Sequence, residues 1–249
     1  MTELQPQVGY QVFHEDGLYG ARGLYYNYLF AGNGLFVEAE SPLLNGRVQI
    51  AQAKVRGLPD LAPKFHLPHA KIPAGIMEIV LDLMLFEHAT EIYAAIVYEN
   101  GEYGLKSPNQ VGSAARVLYE RPDNVVLELH SHGKIGAFFS SLDNSDEQGL
   151  RLYGVVGNPR GGLQVKMRLG VYGYYGPVEL QNVFDDVPPD LLDQVVEEHK
   201  ILIPGYDPAN PAGRYPGGIL PGNYELVKLL RENADNPEAI RFIADMLEE

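Results

Sequence analysis

Two histidines separated by one residue close an apolar run in the stretch LELHSHGKIGAFFSSLD, residues 127–143. On a β-strand, residues i and i+2 project to the same side, so His130 and His132 offer two imidazoles from one rigid face. Ser140 and Asp143 follow, giving the pattern His-x-His-x7-Ser-x2-Asp. A serine three residues ahead of an acidic residue forms a capping box and can open a helix. A strand, a loop and a helix start would then return Asp143 to the two histidines. Two imidazoles and one carboxylate make three ligands of the kind zinc prefers, and they leave a fourth position for water, as in catalytic zinc sites. Taken singly, the His-x-His pair reads as structural and Ser-x-x-Asp as an ordinary helix cap; the combination is what suggests the metal.

The elements that must position these groups can be read from the pattern. NVVLELHSH is a strand candidate, and RPDN is the turn between it and AARVLYE. AGIMEIVLDLMLFEHA, residues 74–89, has Ile76, Ile79, Val80, Leu83, Met84 and Phe86 at the spacing of a helix with a wide buried face. TEIYAAIVYENGEYGLKSP reads as two strands about the turn ENGE. DEQGLRLYG starts as a helix and ends as a strand, and LYGVVGNPRGGLQVKMRLGVYGYYGPVEL is a long hairpin turning at NPRGG. Ahead of these, GLYYNYLF, NGLFVEAE and GRVQIAQAKV look like strands, followed by the proline-rich connector RGLPDLAPKFHLPHAKIP. Behind them come VPPDLLDQVVEEHKIL, a helix with proline at its start, an irregular Pro/Gly-rich stretch, and two short terminal helices. The expectation is an α/β (α+β) fold with a mixed β-sheet flanked by helices. The expected organisation is a β-rich N-terminal unit (1–65), a core (66–182) and a C-terminal extension (183–249).

Composition narrows the function. The 249 residues contain no cysteine, so disulfides, thiolate ligands and a cysteine nucleophile are excluded. The formal net charge of −14 argues against a nucleic-acid partner, which needs a concentrated basic surface. No apolar run reaches the length of a membrane span. The opening MTELQPQVGY has no secretory character, which makes the cytoplasm the expected compartment.

The His-x-His-x7-Ser-x2-Asp pattern, placed after a convincing strand, resembles that of the JAMM metalloproteases of the MPN/Jab group, and the surroundings look like the prokaryotic Jab branch. The resemblance covers roughly residues 72–180. It implies an MPN (cytidine-deaminase-like) core, one Zn2+ per chain on His130, His132 and Asp143, and Ser140 supporting the oxyanion or the bound water. It also implies a glutamate general base from a strand just behind a long helix. Glu91 occupies that place, with Glu87, one turn earlier, as the second choice. Gly133 stands where the family commonly has proline, and IYAAIVY follows the glutamate where many members carry a small residue and a glycine. Neither departure removes a ligand.

The resemblance implies a bacterial zinc metallopeptidase of isopeptidase type, hydrolysing the bond after the C-terminal tail of a ubiquitin-like protein. E1-like or E2-like pathway proteins would be further partners. The alternatives are a zinc hydrolase of small peptide or amino-acid adducts, and a non-catalytic MPN-like scaffold. Phe138 and Phe139 either line the groove for the substrate tail or pack the loop onto the core. His66 and His69 read as surface or packing residues, and His88 and Glu91 would form a second pair only if the helix ran on past residue 89.

Overall fold

Two six-stranded sheets dominate the computed structural model, which describes residues 5–86, 91–107, 110–112, 117–119, 121–158 and 162–192. The first sheet contains β1 (Val8–His14), β2 (Gly17–Ala21), β3 (Tyr26–Ala31), β4 (Gly34–Glu40), β5 (Asn45–Gln52) and β6 (Lys64–His66), in the order β2-β1-β3-β4-β5-β6. β1 and β3 are parallel, and the other neighbours are antiparallel. β3, β4 and β5 fall where alternating or continuous apolar runs place them. β1, β2 and β6 are additional. β2 is almost wholly exposed and β6 is three residues long inside the connector, so neither carries the burial pattern that betrays a strand.

α1 (Ala74–Phe86) follows the connector. Met77, Val80, Leu81 and Met84 are buried, at the 3-and-4 spacing of one helical face. Ile79 and Leu83 point outward, so the buried face is narrower than the pattern suggests. The start of α1 is tied down from the far end of the described chain. The Ala74 N–H donates to Asp185 Oδ1 at 2.7 Å, and Ile72 exchanges backbone hydrogen bonds with Val183 and Asp185.

The second sheet runs β14-β13-β12-β11-β7-β8, and it too is mixed. Its strands are β7 (Tyr93–Glu99), β8 (Glu102–Lys106), β11 (Val125–Ser131), β12 (Leu150–Gly157), β13 (Gln164–Val171) and β14 (Tyr174–Pro177). A separate pair, β9 (Gln110–Gly112) and β10 (Val117–Tyr119), lies between β8 and β11 in the chain. β7 turns into β8 through Asn100 (φ 54°) and Gly101 (φ 90°), two left-handed residues of the kind that a tight hairpin requires. β11 pairs antiparallel with β7 and parallel with β12, and α2 (Ser141–Asp146) lies in the crossover between β11 and β12. α3 (Leu180–Val183) is a single turn, and α4 (Pro189–Leu192) is described over four residues. The fold class is therefore mixed α+β with few helices.

Register decides what each face of the second sheet does. Ile96, Leu127, Leu152 and Leu169 are cross-strand neighbours and are all buried. They join Val37 and Val48 of the first sheet and Met84 of α1 in one apolar core. The sheets approach so closely that a Cβ on Gly46 would lie 2.8 Å from Leu169 Cδ2. One residue along each strand, Ala95, Glu128, Tyr153 and Arg168 form the row on the opposite face. That second face carries the polar groups. No helix among the described residues is long and apolar enough to cross a membrane. The expected turn at residues 159–161, the expected continuation of a helix beyond Leu192, the Pro/Gly-rich stretch and the two expected terminal helices fall outside the described residues.

Candidate metal centre

His130 lies near the end of β11, in register with Tyr93 of β7 and Val155 of β12. The strand continues straight into His132, whose N–H donates to the Val156 carbonyl at 2.7 Å. The chain then turns at Gly133 (φ 55°), and Asn158 N donates to the Gly133 carbonyl at 2.8 Å. Proline holds φ near −65° and cannot adopt this turn. The glycine that departs from the family pattern is thus the residue this particular loop requires. Gly157 lets the loop lie against β12, because a Cβ there would come within 2.5 Å of both Ala137 N and Ile135 O.

α2 opens as the Ser-x-x-Asp spacing predicts. Ser140 is its N-cap, with Oγ accepting from Asp143 N at 3.2 Å, and Asp143 Oδ2 accepting from Ser140 N at 2.5 Å. The other carboxylate oxygen, Oδ1, lies 3.3 Å from His130 Nε2, which is 3.2 Å from His132 Nε2. One ligand atom from each of His130, His132 and Asp143 therefore falls within 4.8 Å of the others, a grouping that could hold a metal ion. The two Nε2 atoms face one another, and His132 Nδ1 is buried without a hydrogen bond. Burial pulls the His130 imidazole down to about 4, against the Asp143 carboxylate that favours its charged form. His132 is lowered for the same reason. Both rings are consequently neutral at pH 7, the form in which imidazole binds metal.

Glu91 lies just ahead of β7 and is half-buried. Its carboxyl is raised above the usual range, by burial first and by the nearby negative charge of Asp143 second. Ser131, between the two histidines and buried on the other side of β11, fixes the start of β7. Its Oγ accepts from Ile92 N at 3.0 Å, and its own N–H donates to the Ile92 carbonyl at 2.9 Å. Ser131→Ala is expected to destabilise the fold by about 1–3 kcal/mol, because it leaves the buried Ile92 N–H unpaired. Urea unfolding measures this directly, and an unchanged midpoint would remove Ser131 from this role. Glu87, the alternative base, lies outside the described residues.

The helix that carries Asp143 has no buried residue of its own, and six residues do not make a stable helix in isolation. A lock on β13 holds it instead. Buried Arg168 donates to Glu147 Oε2 through Nε at 2.8 Å and Nη2 at 2.6 Å, and to Asn144 Oδ1 through Nη1 at 2.7 Å. Its guanidinium lies between the rings of Phe139 and Tyr175, 3.8 Å from each centroid. Tyr175 Oη in turn lies 2.9 Å from the Asn144 carbonyl and 2.8 Å from the Glu147 carbonyl, near the end of α2. Burial pushes the Glu147 carboxyl up and Arg168 pulls it back. A second buried acid, Glu128, lies in the same cross-strand row as Arg168, with Arg121 Nε at 2.7 Å and Arg151 Nε at 3.4 Å.

The two phenylalanines separate. Phe139 packs under Arg168, whereas Phe138 is 44% exposed and sets its ring edge-on to His132 at 4.6 Å. Ile135 and Leu142 are exposed on the same loop and helix start, so an apolar rim borders the histidines. Of the other histidines, His69 stacks on Tyr98 with centroids 3.7 Å apart and His66 is exposed on β6, while His88 lies outside the described residues. Sequence reading passed over Ser131, Glu147, Arg168 and Tyr175. Only Arg168 left a trace, as a cation set between Met167 and Leu169 in KMRLG.

No protein-family model matches the chain, and no curated protein matches it.

Proposed function

We propose that the protein is a zinc-dependent peptidase of the JAMM type, hydrolysing the amide or isopeptide bond that follows the C-terminal tail of a ubiquitin-like protein. The observation that carries the hydrolase reading is the convergence of His130, His132 and Asp143, with Glu91 near enough for the charge of Asp143 to help raise its carboxyl. A tetrahedral zinc with ligand bonds of 2.0–2.1 Å needs ligand–ligand edges of about 3.3–3.4 Å. The two close pairs, at 3.2 and 3.3 Å, fit that demand. The substrate class rests on the resemblance of the motif.

When bound, zinc would acidify a water molecule and polarise the scissile carbonyl. His130, His132 and Asp143 would hold the ion, with Asp143 also fixed through its second oxygen by the Ser140 N–H. Glu91 accepts the proton of the attacking water and passes it to the leaving amine, a role that a raised carboxyl suits. The Ser140 hydroxyl uses its oxygen to cap α2 and keeps its proton free to donate to a developing oxyanion. The rim of Ile135, Phe138 and Leu142 excludes water from one side of an extended peptide tail.

The test joins metal content to cleavage. Purified protein is expected to hold about one zinc per chain, to cleave a ubiquitin-like protein carrying a C-terminal extension, to lose that activity to a chelator and to regain it with zinc. Protein that binds no zinc overturns the metal assignment. Protein that binds zinc and leaves every such fusion intact overturns the substrate.

A further inference from the structure

Behind the second sheet, on the face away from the histidines, lies a cleft of about 480 Å³. The two faces are set by adjacent residues of β13. Arg168 reaches α2, while Leu169 faces the first sheet and lines the cleft. The remaining walls come from β5, β6 and the segment after it, the end of β14, and α3. Such a volume lies within the usual range for small-molecule sites.

The charge of the lining runs against that of the chain. The protein as a whole is at −14, yet every charged residue lining this cleft is cationic: Arg47, Lys64 and Lys71, with His66 and His69 beside them. Glu38 pairs with Arg47 and neutralises part of that charge, but Arg47 Nε remains buried with no partner. Lys71 Nζ donates to the Gln181 carbonyl at 2.7 Å and retains two N–H groups. Lys64 is exposed and makes no ion pair among the described residues. Asn182 adds an amide. Phe65, Leu169 and Val178 supply apolar wall between these groups.

We propose that this cleft binds a small organic anion, with a phosphate or carboxylate headgroup between Lys64 and Lys71 and an apolar body against Phe65, Leu169 and Val178. A cationic cleft with low-dielectric walls concentrates field and draws an anion even to an acidic protein. The site is separate from the metal centre and does not depend on the proposed activity.

Calorimetric titration with octyl phosphate, octanoate and octanol tests it. At least one of the two anions is expected to bind with a Kd below about 1 mM, and the one that does identifies the headgroup. The Lys64→Gln/Lys71→Gln variant is expected to bind it at least tenfold more weakly, with its unfolding midpoint recorded alongside. Lys64→Gln alone, at an exposed side chain, serves if the double variant does not fold, and a weakening of severalfold is then expected. Lys54→Gln, exposed and outside the cleft, is expected to bind as the parent does. The proposal is overturned if neither anion binds, if octanol binds as tightly as the anions, or if the lysine variants bind unchanged.

Discussion

Glu91→Gln is expected to slow amide hydrolysis by roughly 10²–10⁴-fold while leaving the metal content unchanged. Glutamine has nearly the volume of glutamate, so the start of β7, pinned by the paired hydrogen bonds of Ile92 and Ser131, has no reason to move. Glu91 is not among the three grouped ligands, so its loss does not remove a donor to the ion. The amide cannot accept the proton of the attacking water, and that is the one function the substitution deletes. The parent enzyme should also show an acid limb. Burial and Asp143 raise the Glu91 carboxyl, so the ionised base is lost as pH falls through that raised value, and kcat/KM falls with it. The residual rate of the glutamine variant should lack this limb. Metal analysis and a pH–rate profile on both proteins decide the matter. A fully active variant, or one that has lost its metal, removes Glu91 from the role of base.

The grouping of His130, His132 and Asp143 was legible in the sequence because its information is local. The two imidazoles share a face through the two-residue period of a strand, and the capping box announces both the start of α2 and the direction of Asp143. The Asn-Gly turn between β7 and β8 is equally local. What went unread depends on partners distant in sequence. Arg168 meets Glu147 21 residues away, and Asp185 caps α1 from 111 residues away. Nothing in the neighbourhood of either residue signals the match. The exposed β2 and the short β6 carry too little apolar pattern to register, and the parallel pairing of β1 with β3 is a matter of topology rather than of composition. The shared apolar core of the two sheets escaped for the same reason: Gly46 and Leu169 are ordinary residues until they touch. The grouping of two imidazoles and a carboxylate was thus visible where one strand and one helix turn suffice, and the support that fixes it was not.

Asp143 performs two tasks with two oxygens, and a pair of substitutions should separate them. Oδ1 faces His130 Nε2, and Oδ2 accepts from the Ser140 N–H. Asp143→Asn can keep its carbonyl oxygen on Ser140 and must then turn an NH2 group towards His130. A neutral amide donor in place of a carboxylate is a poor zinc ligand. Zinc affinity is expected to fall at least 100-fold, beyond the roughly 10–100-fold that follows loss of a merely supporting residue. Asp143→Ala removes both oxygens, so it should lose the metal to the same degree and destabilise the apo protein by a further ~1 kcal/mol through the broken cap. Parent protein with free zinc at a thousand times its Kd should be about 4 kcal/mol more stable than its chelated form. Neither variant should show that difference at the same zinc concentration. Denaturant unfolding of all three proteins, each with zinc and with chelator, reads both quantities from one experiment. If Asp143→Asn keeps the zinc-dependent stabilisation, Asp143 is only a helix cap and the metal centre needs a different third ligand. If the alanine variant matches the asparagine variant in chelator, the Asp143 carboxylate half of the capping box contributes nothing, and the Ser140 Oγ cap and the Arg168 lock hold α2 in place.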